Sequence, residues 1–389
     1  MTDNIQDSEQ KPLLETSIET VNVDLKLKIP KWLAITLVMT IALLHMAASM
    51  LSFYVMNQYS YQAYMRQNYP NSSHVSTGSQ SACEKNTNTT AYQEQIVVQK
   101  LTSEWNIHCN LVTYNIIGIV ITLNLATYSD VYGRKLLFIP PIVGSILKNT
   151  LCSVGIYFNL NIEWFFLFYA IEGCTGSWIS LLSMAYSFIA DLTEAGKPRS
   201  FIIGLLEGGM GIGTFLATIL SGYLIKWTGG FFYPEVTSVI LVGIELLIIM
   251  LILSETLHGS KKRNEVSFCQ NMARVTECYK SNFSPLTKRW VFVVLIFIFM
   301  MSAFSSIGRI SVETLYQLNA PFCWDSIRIG WYGAIRMTML AFGGLAMIKV
   351  FHLFTTDEYI ALAGCITTVL SLTIMGLANT NTMLYIGKL

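Results

Sequence analysis

Ser129-Asp130-Val131-Tyr132-Gly133-Arg134-Lys135 is the stretch on which the reading of this chain turns. It is a charged hairpin between two apolar runs, Leu111–Tyr128 and Leu136–Phe158. Each run approaches the roughly 20 mostly apolar residues that a helix needs to cross a hydrocarbon core of about 30 Å. Gly133 permits a tight turn with positive φ. Asp130 can face the positive N-terminal end of a neighbouring helix, and Arg134 can bond carboxylates and open helix-end carbonyls. Such a cluster can hold one conformation and release it when charges move. The plainer reading is a solvated hairpin with ordinary stop-transfer charges.

The surroundings decide between them. The 389 residues include only 13% Asp, Glu, Lys and Arg, about half of the roughly 25% usual in soluble domains, while 53% are hydrophobic. A soluble globule of this size could not cover its surface with so few charges. Disordered, collagenous, coiled-coil and disulfide-scaffold classes are excluded on the same composition. A net charge of +1 gives no electrostatic case for nucleic acid. What remains is a multi-span protein of the lipid bilayer.

Further apolar runs are Trp32–Met56, Trp164–Ala190, Phe201–Ile225, Phe231–Leu253, Trp290–Gly308, Ile327–Val350 and Tyr359–Leu377, with Thr382–Leu389 as the start of a tenth. They are continuous rather than alternating, so they are helices and the fold class is all-α. Basic residues orient them. Lys26, Lys28 and Lys31 precede the first span, Arg134 and Lys135 follow the second, Lys197 and Arg199 the fourth, and seven basic residues lie in 255–289. All share one face if the N-terminus is cytosolic. The expected layout is a cytosolic tail 1–31, a six-helix bundle 32–254 with an outer loop 57–110, a basic cytosolic loop 255–289, and a partial second bundle 290–389. Two sequons, Asn71-Ser72-Ser73 and Asn88-Thr89-Thr90, fall in the outer loop and make Asn71 and Asn88 glycosylation candidates. The loop between spans six and seven carries a third, at Asn282, read as chance.

With six spans before the basic loop, the D-x-x-G-R-K hairpin resembles the signature loop of the major facilitator superfamily, although Ala126 stands where that pattern has Gly. A closer resemblance, to solute carrier family 46, rests on Cys83-Glu84-Lys85-Asn86, Ser129–Lys135, Arg199-Ser200-Phe201 through Leu205-Leu206-Glu207, and Leu315-Tyr316-Gln317-Leu318 with Pro321-Phe322-Cys323-Trp324-Asp325. It covers nearly the whole chain from the first span. It implies a major facilitator fold, here with a complete N-terminal half and an incomplete C-terminal one, and proton-coupled movement of small, often anionic, organic solutes. Twelve spans would need some sixty to eighty more residues at 20-odd each, so a truncated chain is expected. The resemblance also implies a Cys83–Cys323 disulfide, with free thiols as the other reading.

A charge at the bilayer centre is costly, so each intramembrane ionisable residue is a candidate by default. Glu207, seven residues into span five and matching an acidic position of the family, leads as the proton carrier. Burial disfavours a charged carboxyl, which lets such a group be protonated toward one side and ionised toward the other. His45 and Glu172 are further candidates, with Glu245 behind them; a lone His45 is also readable as a packing residue. Arg336 and Arg309 are candidate anchors for a substrate carboxylate, Arg309 lying four residues before Glu313. Lys148 is expected to snorkel. Asp130, Gly133, Arg134, Lys135 and Asp191 form the candidate gate. The folate carrier of the family has a His in span seven that falls, by register, on Ser306, which counts against folate. Glycines at 204, 208, 209, 211 and 213, with 333, 343 and 344, are expected to let spans five and eight approach closely.

Glu9-Gln10-Lys11-Pro12-Leu13-Leu14 reads as an acidic dileucine signal for sorting adaptors, placing lysosome or endosome level with plasma membrane. Walker, zincin and nucleophile-elbow motifs are absent, as is any His pair at ligand spacing, so no enzyme, cofactor or metal site is expected. The rival functional class is a non-transporting receptor or scaffold, or an inactive truncated transporter.

Overall fold

The structure is a computed structural model; it describes residues 29–70, 90–194, 197–255, 289–318, 321–339, 354 and 357–387. Among these, six helices are long and apolar enough to cross a membrane. The first, α1 (Lys31–Asn68), has 38 residues, about 57 Å at 1.5 Å per residue. It therefore runs far past the expected end at Met56. The extension is held by burial of Asn57, Gln58 and Ser60 and by the ring of Tyr59, 5.6 Å from Phe165 and 5.8 Å from Phe231.

The expected outer loop is thus helical at both ends. From α2 (Thr90–Ile107) the chain continues through a π-helical stretch, His108–Ile116, into α3 (Ile117–Tyr132). Side chains stabilise the wide turns: Thr113 donates to the Cys109 carbonyl at 2.6 Å and Asn115 to the Asn110 carbonyl. Trp105 pins α2 by donating from Nε1 to Ile162 O at 3.2 Å. After α4 (Arg134–Tyr157), the fourth span is broken into α5 (Trp164–Cys174) and α6 (Ser177–Leu192). Gly176 turns the chain at φ 100°, and its carbonyl accepts from Thr122 Oγ1 at 3.0 Å, so the break leaves that group bonded in the hydrocarbon layer.

The bundle closes with α7 (Lys197–Thr228) and α8 (Phe232–Leu251). One apolar core, around Val38, Phe138, Met184, Phe188 and Ile249, fills the end nearest the 129–135 hairpin. Another, around Leu51, Tyr59, Trp105, Phe165 and Phe231, fills the opposite end.

Among the described residues four further helices follow: α9 (Arg289–Leu318), α10 (Ser326–Thr338), α11 (Asp357–Gly376) and α12 (Asn381–Ile386). Asp325 caps α10 by accepting from Arg328 N at 3.2 Å, and Thr380 caps α12. Buried Trp324 ties this half together. Its ring stacks on Tyr385 and its Nε1 donates to Asn381 Oδ1 at 2.8 Å.

Helix α7 packs on α1 within the first bundle and on α10 of the second half, where the two halves meet. A Cβ at Gly213 would collide with the Leu43 carbonyl of α1, and one at Gly330 would lie 2.5 Å from the Thr218 carbonyl of α7. The expected five-on-eight approach is therefore made through Gly330 and Gly333, and α7 spends Gly213 on α1. Gly204 and Gly208 have nothing within 4 Å of a Cβ position.

Candidate functional site

The 129–135 hairpin forms a compact polar corner. Gly133 has φ 101° and ψ 157°, a conformation open essentially to glycine. Helix α4 begins at the next residue, and its first free N–H groups meet the carboxylate of Glu255. Arg134 N donates to Oε1 at 2.8 Å and Lys135 N to Oε2 at 3.0 Å. This is a charged cap on the positive end of a helix. Arg134 Nε also donates to Asp191 Oδ2 at 3.0 Å, and its guanidinium bonds Ser129 Oγ. Lys135 Nζ reaches the Met250 carbonyl at 3.2 Å. The corner thus locks α3, α4, α6 and the end of α8. Asp130 lies in the last turn of α3; its side chain is outside the described residues, and the carboxylate found at a helix N-terminus belongs to Glu255.

A Cβ on Gly133 would lie 2.5 Å from Glu255 Oε2. Gly133→Ala is therefore expected to cost about 1–3 kcal/mol in backbone strain and to loosen the cap. Thermal unfolding of the detergent-purified protein checks this; a melting point equal to wild type refutes the strain.

Inside the first bundle lies a buried ionic cluster. Lys148 of α4 does not snorkel: it is 6% exposed, and its Nζ sits 3.2 Å from Glu172 Oε2 of α5 and 5.2 Å from the Tyr169 ring centre. Ser145 donates to the other oxygen of Glu172. On the far side, Ser52 of α1 donates to Glu235 Oε1 of α8 at 2.7 Å, and Lys148 Nζ is 3.4 Å from the same Ser52 Oγ. Glu235 is fully buried, and its Oε2 has no hydrogen-bond partner among the described residues. One cation thus serves two carboxyls. Beside it opens a cavity of about 750 Å³ including its mouth, walled by Phe53, Tyr114, Tyr169 and Trp178, with Asn110 and Asn115 and with Lys148 at the wall.

His45 is not lone. Its Nδ1 lies 3.0 Å from Glu245 Oε2, both side chains are buried, and His45 Nε2 and Glu245 Oε1 have no hydrogen-bond partner among the described residues. Glu245 and Glu235 therefore stand on α8 opposite α1, each answered by an α1 side chain.

A third cluster spans the two halves. Arg336 Nη1 donates to Glu313 Oε2 at 3.2 Å, and Nη2 to Tyr54 Oη of α1 at 3.5 Å. Arg309 Nε is 3.7 Å from the same Glu313 oxygen. Here one carboxylate serves two cations. A small recess lies against it, lined by Gln317 and Tyr332 among others.

Glu207 is placed differently from the expectation of a buried acid. It is exposed, on the open face of α7 that carries Gly204 and Gly208, and Tyr186 of α6 donates to its carboxylate. Among the expected proton and anion residues, Glu172, His45, Arg336, Arg309 and Glu313 have buried or half-buried charged partners, and Glu207 has none among the described residues. Cys323 is disulfide-bonded. Its expected partner Cys83 lies outside the described residues, as do Asn71, Asn88 and the dileucine residues Glu9, Leu13 and Leu14.

Sequence reasoning passed over Glu235 and Glu255. Glu235 follows Pro234 in the first turn of a span, where an acid reads as a helix start. The available signal was its spacing of ten from Glu245 on one helix, beside a span that carries His45 and Ser52. Glu255 reads as the first charge of a loop.

Comparisons with known proteins give a consistent placement. The family model of the Major Facilitator Superfamily matches residues 86–387. The lysosomal proton-coupled steroid conjugate and bile acid symporter SLC46A3 of Gallus gallus is 26% identical over 91% of this chain and 76% of its own. The proton-coupled folate transporter of Bos taurus is 22% identical over 75% of this chain and 62% of its own. Among solved structures, a D-xylose-proton symporter superposes with a TM-score of 0.57 at 14% identity, covering 92% of this chain and 79% of that one. The xylose transporter XylE from E. coli, in a partially occluded inward-open conformation, gives 0.58 at 14% identity, covering 92% and 83%. Its six-span bundle, its hairpin lock and these matches make the chain a multi-pass membrane protein that belongs to the major facilitator superfamily, with homologues in solute carrier family 46.

Proposed function

We propose that this protein is a secondary-active symporter that moves small organic anions together with protons by alternating access, and that it is not an enzyme. The supporting observation is the set of charge pairs buried at membrane depth beside a cavity. A protein gains little stability from such pairs and breaking one is costly, so they are understandable as parts of an ion path. Proton-coupled transport by the relatives, SLC46A3 of bile acids and steroid conjugates among them, points the same way. Two halves rocking about a central site provide the route.

In this reading Glu207 with Tyr186, His45 with Glu245, and Glu172 with Lys148 handle protons. Arg336 and Arg309, with Glu313 between them, attract the anion. Asp130, Gly133, Arg134, Lys135 and Asp191, together with Glu255, lock the gate. The N-terminus is cytosolic, and the dileucine tail binds sorting adaptors that deliver the protein to lysosomal or endosomal membrane, or failing that to the plasma membrane. Asn71 and Asn88 carry glycans on the opposite side, where Cys83 pairs with Cys323.

The test is uptake of tritiated taurocholate, a bile-acid anion, into proteoliposomes under an imposed pH gradient. Wild type is expected to concentrate the solute only with the gradient. Glu207→Gln, if folded, is expected to equilibrate the solute without concentrating it. Unchanged accumulation in that variant removes Glu207 from coupling, and gradient-independent uptake by wild type removes symport.

A further inference from the structure

The buried cluster of the first bundle has a charge imbalance with a chemical consequence. Lys148 contributes one positive charge; Glu172 and Glu235 contribute two carboxyls. An uncompensated carboxylate buried to 1% exposure or less is too costly to persist. The set is neutral with a single proton shared over the two acids. Ser52, within bonding distance of both Glu235 and Lys148, joins them. The unpartnered Oε2 of Glu235 is a place for that proton to sit.

The cavity shows what disturbs this balance. Lys148 and Tyr169 belong to its wall, while the two carboxyls stand behind them. Aromatic faces from Phe53, Tyr114 and Trp178 line the rest, with the amides of Asn110 and Asn115. That lining suits a solute with a flat or cyclic apolar body and hydrogen-bonding edges. Its charged group would meet Lys148 first. An anion there makes the set negative by one, and a second proton restores neutrality. With both acids protonated, neither competes for the Lys148 ammonium, which is then free to bond the anion.

We propose that Lys148 is the anchor for the anionic group of an amphipathic organic solute in this cavity, and that Glu172 and Glu235 take up one proton with each anion bound. The proposal rests on the symport reading and adds its site and its stoichiometry. The proton comes from the aqueous side to which the cavity is open. It returns to solvent when the anion leaves, and the Lys148–Glu172 pair re-forms. Other titratable groups turned toward the cluster are His45 of α1, Cys109 and Tyr114 of the π-helical stretch, Cys152 of α4, Tyr169 of α5 and Glu245 of α8. The thiols and phenols stay neutral in the physiological range, and His45 is engaged by Glu245.

The test uses the full chain in lipid nanodiscs, read by infrared difference spectroscopy of protonated carboxyls as pH is cycled and taurocholate is added. Acidification is expected to produce a protonated-carboxyl signal that Glu172→Gln and Glu235→Gln each diminish and Glu207→Gln keeps a share of. Taurocholate at fixed pH is expected to add protonated carboxyl and to take up one proton per anion. The charge-neutral double variant Lys148→Gln/Glu172→Gln should lose that response. Ser52→Ala, which removes only the 2.7 Å bond to Glu235, should shift the acid-induced signal even where Glu235→Gln fails to fold. An acid-induced signal unchanged in Glu172→Gln, Glu235→Gln and Ser52→Ala overturns the shared proton. Taurocholate-linked proton uptake that survives in the double variant overturns Lys148 as anchor. Wild type that neither binds nor moves taurocholate counts against the symport reading and its anion site, while the acid titration still decides the cluster.

Discussion

Lys148→Met is expected to abolish folded protein, and Lys148→Met/Glu172→Gln to restore it without transport. Removing the ammonium takes away the counter-charge of the carboxylate that the shared proton leaves ionised, in a site where Lys148 is 6% exposed and both acids are 1% or less. Breaking a buried pair by deleting one partner costs about 3–5 kcal/mol, a large part of the roughly 5–15 kcal/mol that holds a domain together. The hydrogen bonds from Ser145 and Ser52 partly compensate each carboxylate but do not neutralise it. Taking away the Glu172 charge as well leaves Glu235 alone, which one proton neutralises, so the apolar bundle around it can close. Monodispersity on size-exclusion chromatography and the melting point measure the first effect; taurocholate flux measures the second. A single variant that folds as well as wild type would mean the cluster is hydrated and carries no such constraint.

That cluster also shows where sequence stops being informative. The spans, the N-terminal bundle and the hairpin lock follow from local features: apolar run length, basic bias and a glycine that must take positive φ. Gly133, Arg134 and Asp191 are legible because the motif is contiguous and the partner sits at the end of a span. Partnership across the bundle is not legible in that way. His45 meets Glu245 and Ser52 meets Glu235 across about two hundred residues of chain, fixed by how α1 and α8 pack. The same holds for Lys148. A lysine in an apolar run has a cheap alternative, bending to the interface, and only the position of Glu172, one turn before the break at Gly176, shows that it does not take it. Glu207 errs in the other direction. A carboxyl seven residues into an apolar helix reads as buried, yet Glu207 is exposed, and Gly204 and Gly208 beside it meet no neighbour among the described residues.

The charge counts of the two ionic clusters are complementary. In the first bundle two acids share one lysine; across the halves two arginines share one acid. In the proposed symport the first cluster takes up the proton and holds the anionic group through Lys148, while the net positive charge of the second draws the anion toward the seam between the halves. The second also fastens α9 and α10 to Tyr54 of α1, so it is an inter-half contact that rocking must change. Gly330 and Gly333 bring α10 close enough to α7 and α1 for that reach.

Arg336→Met should therefore behave unlike Lys148→Met: the protein is expected to fold and to lose transport. Glu313 keeps a cation, because Arg309 remains 3.7 Å away, and no buried charge is stranded. What disappears is the excess positive charge and the bond to Tyr54. A hydrogen bond to a charged group contributes about 1.5–3 kcal/mol, so apparent taurocholate affinity should fall roughly 10- to 150-fold. Arg336→Lys should not rescue it, since one ammonium cannot reproduce a planar fork that reaches Glu313 and Tyr54 from two nitrogens. The proton response of the Lys148 cluster should persist in Arg336→Met at saturating probe, because that cluster lies within the other half. Taurocholate flux at wild-type rate and affinity in Arg336→Met would reduce the arginine to a clamp between halves and leave the anion to Lys148 alone. Equal rescue by lysine would show that charge alone, without the forked geometry, is what the site requires.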